Sequence, residues 1–159
     1  MYRWVVFLHI FGALVFFMGH GASAFMAVNL RGEQNTDRIR TLLNLSATSL
    51  NVMFLGLLML LLAGIAAGFM GKWWSQGWIW AALILMILLI GWMGFYARRH
   101  YIPLRKALGI TYRGVPGDST PASPEEITRL VNATRPMMLM VGGMSIAAVI
   151  LFLMVFKPF

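Results

Sequence analysis

The chain has 159 residues, 60% of them apolar, with only 13 basic and 5 acidic side chains. That length admits one domain, and that composition excludes an ordinary water-soluble globule. It contains no cysteine, which removes disulfides, thiolate metal sites, iron–sulfur clusters and cysteine nucleophiles. The formal net charge of +8 would point to nucleic acid in a soluble protein, but the placement of the charges assigns it to membrane topology instead.

Four apolar runs reach the length of about 20 residues that a bilayer requires. The first lies at about residues 4–30, Trp4 to Leu30, and none of the four has a charged side chain in its interior. In lipid the backbone must satisfy itself within each segment, so all four are predicted as helices. The first connection carries Arg31, Arg38 and Arg40. Within it, Thr36 or Asp37 is the predicted cap of a helix whose start, Arg38 to Leu45, precedes the membrane. The second run, about 47–70, contains Gly64-Ile65-Ala66-Ala67-Gly68, a small-xxx-small pattern that lets helices approach, with Gly56 before it.

A tight turn at Gly71 to Gly77 follows. Trp73, Trp74, Trp78 and Trp80 crowd it as an interfacial belt, joined by Tyr2 and Trp4. The third run covers about 78–97. A long connection, 98–136, is expected to lie in the cytoplasm. Its Gly114 to Gly117 stretch and Pro121 read as turn, and Ser123-Pro124-Glu125-Glu126 reads as a capping box with proline at the first helical position. The last helix should begin there, kink near Pro136 and cross the membrane at about 137–156.

Orientation follows from the basic residues. Arg31, Arg38, Arg40, Arg98, Arg99, Arg105, Lys106, Arg113, Arg129 and Arg135 lie on one side, against Arg3, Lys72 and Lys157 on the other. Basic loops stay cytoplasmic, so both termini are predicted outside. The expected architecture is an all-α integral membrane protein: a single domain, 1–159, forming an antiparallel four-transmembrane-helix bundle in the cell (inner) membrane. Gly12, Gly19, Ser23 and Ala27 in span 1 and Gly142 and Gly143 in span 4 are the small residues expected at helix contacts or in a homo-oligomer.

Ionisable groups inside a membrane are costly and therefore mark candidate sites, and only histidine qualifies here. His9 and His20 stand eleven residues apart in span 1. At about 100° per residue they fall on one face, about 16 Å apart. Gly12, Phe16, Ser23 and Ala27 share that stripe, so it should face the bundle. His20, Ser23, Asn51 and His100 are expected to meet as a polar cluster near the cytoplasmic end. Three histidines in all are too few for two stacked bis-histidine haems or a closed zinc site. No span contains a carboxylate, which argues against a transporter coupled to protons or cations.

The opening Tyr2-Arg3-Trp4-Val5-Val6-Phe7-Leu8-His9-Ile10, Gly19, and the basic exit of the first span resemble the four-helix, haem-binding type of bacterial protoporphyrinogen oxidase. So do Gly77-Trp78 at the start of span 3, Asn132, and the closing Val155-Phe156-Lys157-Pro158-Phe159. The related copper-resistance-D-like proteins share the histidine in span 1. This resemblance covers most of the chain and implies a four-helix fold with haem b on His9. In the family a lysine near the start of span 3 accompanies that histidine. Here Ala82 stands in its place, and the third connection is longer. The fold and the haem ligand carry over; the lysine does not, which argues against the oxidase reaction.

Two functions are therefore in view. One is a membrane redox protein holding haem b, with His9 as axial iron ligand and His20 as second ligand or pocket residue, the cofactor carrying the electron chemistry. The other is a non-enzymatic accessory subunit packed against other subunits of a larger respiratory or photosynthetic membrane complex. The lipid bilayer is a partner in both, and nucleic acid in neither.

Overall fold

A computed structural model describes all residues, Met1–Phe159. The chain forms α1 (Tyr2–Leu30), α2 (Thr36–Gly71), a short 3-10 turn (Trp73–Ser75), α3 (Gly77–Ala107), α4 (Pro124–Asn132) and α5 (Pro136–Phe156). There is no sheet; a single bridge joins Tyr112 and Val115. Four helices are long and apolar enough to cross a membrane, the fourth being α5 with α4 leading into it.

The helices extend beyond the predicted spans. Gly32 takes a left-handed φ of 80° in the turn after α1. The cap of α2 is Asn35, not Thr36 or Asp37; its side chain accepts from the N–H groups of Asp37 and Arg38 and satisfies two orphan donors. The Glu33 carboxylate accepts from the N–H groups of Gln34 and Asn35 and pairs with Arg38 at 3.0 Å, closing the turn. These bonds, that of Asn35 first, hold the Glu33 carboxyl below its usual range. At the opposite end, Lys72 adopts a left-handed φ of 56° and stops α2.

Segment 98–136 is not an open loop. It contains the last turns of α3, then a connection folded back on them: Asp118 N–H donates to the Lys106 carbonyl and Ala122 N–H to the Ala107 carbonyl. Ser123 caps α4 by accepting from Glu126 N–H, with Pro124 at its first position, as the capping box predicted. Instead of a kink at Pro136, the chain breaks over Ala133 to Arg135, and α4 and α5 are separate helices. Proline offers no N–H to continue the ladder to Asn132, and with the Arg135 N–H turned to the Tyr96 hydroxyl the Val131 carbonyl accepts from the Thr134 N–H and hydroxyl.

Within the apolar region the helices form two pairs. α1 lies along α2 in a seven-residue register: His9, Gly12, Phe16, Gly19, Ser23 and Met26 of α1 meet Leu60, Gly56, Met53, Ser49 and Ser46 of α2. Glycine is required there because backbone meets backbone. A methyl on Gly12 would stand 2.6 Å from Leu60 N, and one on Gly19 2.5 Å from Met53 N. α3 packs on α5, where Gly142 receives the ring of Trp92 and Gly143 the side chain of Met93. Gly64 and Gly68 also lie at helix contacts, but they admit side chains and not backbone. Gly64 makes room for the His9 ring, and Gly68 for the rings and side chains of Trp74 and Ile79.

The pairs are joined at both ends. At the arginine-rich end, Leu30, Ile39, Leu43, Leu104, Leu108, Ile127 and Val131 form the largest buried core, uniting α1, α2, α3 and α4. This is a core of the water-soluble kind, driven by removing apolar area from water at about 25 cal/mol per Å2. At the tryptophan-rich end, Trp78, Ile79 and Ala82 of α3 and Leu153 of α5 form a second cluster, which Ile79 links to Gly68 of α2. Trp78 is only 2% exposed, so it is a core residue and not part of the belt. Trp4 and Trp80 remain exposed as the belt requires.

Candidate functional site

His9 is positioned by the α1–α2 seam. Its Nδ1 lies 2.8 Å from the carbonyl of Leu60, which can only accept, so the imidazole donates from Nδ1 and its Nε2 carries the free lone pair. The ring is pressed against the bare backbone of Gly64; a methyl there would come within 2.9 Å of it. About four helix turns further along, the Ser23 and Ser46 hydroxyls bond at 2.8 Å. Both bonds join α1 to α2.

His20 faces elsewhere. It stacks parallel to Phe16 at 5.9 Å and lines a hollow between α1, α3 and α5, with Leu89, Met93 and Met144 among the other walls. No protein group bonds to its nitrogens. The two histidines therefore do not share a partner surface. The reason is the repeat: along a seam of 3.5 residues per turn, eleven residues advance about 50° beyond three turns, which carries His20 to the flank of the stripe. The expected polar cluster does not assemble either. Ser23 bonds to Ser46, Asn51 is exposed, and the His100 ring packs on Tyr96 at 4.3 Å.

The fit of a haem to these residues is poor within one chain. The hollow beside His20 holds about 10 Å3, the space of one water and not of a tetrapyrrole. A groove of about 370 Å3 runs between α1 and α2 past Val5, Leu8, Leu55, Leu58, Leu62 and Ala66, and every residue lining it is apolar. His9 is not among them. No group of three or more histidines and carboxylates converges.

Two polar residues join helices in a way that the sequence did not announce. Arg105, 4% exposed, donates from Nη2 to the Leu43 carbonyl at 2.6 Å and lies over the Tyr112 ring at 4.3 Å, tying α3 to α2. Tyr96, 7% exposed, accepts from Arg135 N–H at 2.6 Å and fixes the start of α5 to α3. The only sequence signal for Arg105 was a basic side chain in a last helical turn. Tyr96 gave none.

Fold and site together define a class: an all-helical, multi-pass membrane protein whose helix pairs are tied by a few polar bonds. Compared with known proteins, the chain matches no family model, no curated protein and no solved structure.

Proposed function

We propose that the chain is an antiparallel four-helix bundle of the cell membrane, with both termini outside the cytoplasm, and that it serves as a non-enzymatic subunit packed against partner helices. The observation that carries this reading is the use made of the polar side chains. His9, Ser23 with Ser46, Tyr96 and Arg105 are spent on joining helices. The groove between α1 and α2 is wholly apolar and suited to the side chains of another helix. A photo-crosslinking residue in place of Leu58 or Leu62 should capture one discrete membrane protein at a fixed mass, while one in place of Ser119 should not. Crosslinks to lipid alone from both groove positions would defeat the proposal. The orientation is tested separately: Ser119→Cys should resist an impermeant thiol reagent in intact cells.

Haem b on His9 is the second reading, favoured by one observation. The bond from Nδ1 to Leu60 leaves Nε2 as a free ligand atom, the orientation in which metal-bound histidines are usually held. This reading requires a second chain or a partner helix to complete the pocket. A Soret band in the purified complex that disappears in His9→Ala would support it over the subunit proposal.

A further inference from the structure

The five carboxylates do not balance the basic end of the molecule. Glu33 pairs with Arg38, Asp118 with Lys106 and Glu126 with Arg129. No carboxylate pairs with Arg98, Arg99 or Arg135, and all three are exposed. Arg99 and Arg135 belong to two helices that are tied together at this level. The bond from Arg135 N–H to the Tyr96 hydroxyl anchors the start of α5 beside α3, one turn before Arg99. The His100 ring lies on the same tyrosine at 4.3 Å. Arg98, about 100° away from Arg99 on α3, turns toward another side.

The position of this pair selects its partner. Arg135 immediately precedes the apolar helix α5 and makes no side-chain capping bond there. Met137 and Met138 next to it are each 47% exposed and Val141 is 58% exposed, so a strip of apolar surface begins where the cationic pair ends. A guanidinium pair above an apolar strip, at the boundary of a membrane helix, complements a molecule with an anionic head and an acyl tail. We infer that Arg99 and Arg135 form a binding site for the headgroup phosphate of an anionic phospholipid, with His100 alongside and the acyl chains lying against the first turns of α5. The inference depends on neither the orientation of the chain nor its partner helices.

The full chain, stripped of lipid in neutral detergent, is titrated with phosphatidylglycerol and with phosphatidylcholine, and bound lipid is counted by native mass spectrometry. One phosphatidylglycerol should be retained in preference to phosphatidylcholine. A basic side chain at a membrane surface contributes about fivefold in affinity, so Arg99→Gln with Arg135→Gln should weaken retention about thirtyfold. Arg98→Gln should leave it within about twofold, and Arg99→Lys with Arg135→Lys, which keeps charge and fold, should restore most of it. Equal retention of the two lipids would overturn the inference. So would an equal loss in Arg98→Gln, which would mean a diffuse charge effect. Displacement of phosphatidylglycerol by millimolar inorganic phosphate would overturn the lipid assignment in favour of a free-anion site.

Discussion

Gly19 and Gly21 stand two residues apart on α1 and should respond to the same substitution with opposite sign. A methyl on Gly19 would lie 2.5 Å from Met53 N and 2.8 Å from the Ser49 carbonyl, whereas ordinary contact begins at 3.4 Å. Those neighbours are helix backbone, so α1 and α2 must separate by roughly 1 Å to admit the methyl. Overpacking of this kind costs about 1–3 kcal/mol. The separation also stretches the His9–Leu60 and Ser23–Ser46 bonds, both 2.8 Å, beyond useful length. Each such bond contributes about 0.6 kcal/mol within a membrane. Gly19→Ala should therefore lose about 2–4 kcal/mol in total. Around Gly21 nothing lies within 4 Å of the added methyl. Gly21→Ala gains only the helix preference of alanine, about 0.5–1 kcal/mol. Thermal unfolding in one detergent, followed by tryptophan fluorescence, should show the midpoint fall for the first variant and hold or rise for the second. Equal behaviour of the two, or a Gly19→Ala midpoint at or above that of the parent, would refute the seam.

Leu104, 0% exposed in the core at the arginine-rich end, should cost about 2–5 kcal/mol when cut to alanine, read as loss of hydrogen-exchange protection in α4 before α1. Acidification should loosen the turn at 31–35. With its carboxyl held below the usual range, Glu33 contributes stability that is full above its unfolded pKa and is lost as pH falls through the folded pKa. Exchange at Gln34 and Asn35 should rise over that interval in the parent and show no such step in Glu33→Gln.

The parts of the fold that the sequence made legible were those governed by period and length. Uninterrupted apolar runs give four spanning helices because lipid offers no other solution for the backbone. The stripe of His9, Gly12, Phe16 and Ser23 was found because one helix face must carry the small residues at a close contact. Where one composition serves two environments, the reading failed. A tryptophan near a span end suits the headgroup region or a small core equally, and Trp78 went to the core. Glycines four apart suit a backbone contact or a bulky ring, and Gly64 and Gly68 received rings. His20 was misplaced because an angle that is small for a straight helix grows along a seven-residue seam. Arg105 and Tyr96 were illegible because their partners, the Leu43 carbonyl and the Arg135 N–H, are backbone groups that no residue type announces.

Different forces hold the two regions of the molecule, and the placement of polar residues follows from that difference. Between helices in a bilayer, apolar contact competes with lipid tails that are equally apolar, so cohesion needs close backbone approach or a polar bond. The α1–α2 pair has both. The contact between this pair and α3–α5 has neither in its middle, where His20 borders a water-sized hollow without a protein partner. Its ends supply the connection: the Leu104 core and the Arg105–Leu43 bond at one, and Trp74 and Ile79 seated on Gly68 at the other. Outside the bilayer, water restores the hydrophobic drive, and it is there that the largest fully buried cluster of aliphatic side chains has formed. The short amphipathic α4, with Ile127 and Val131 turned into that cluster, is thus a structural necessity: it closes the end of the bundle where lipid no longer can.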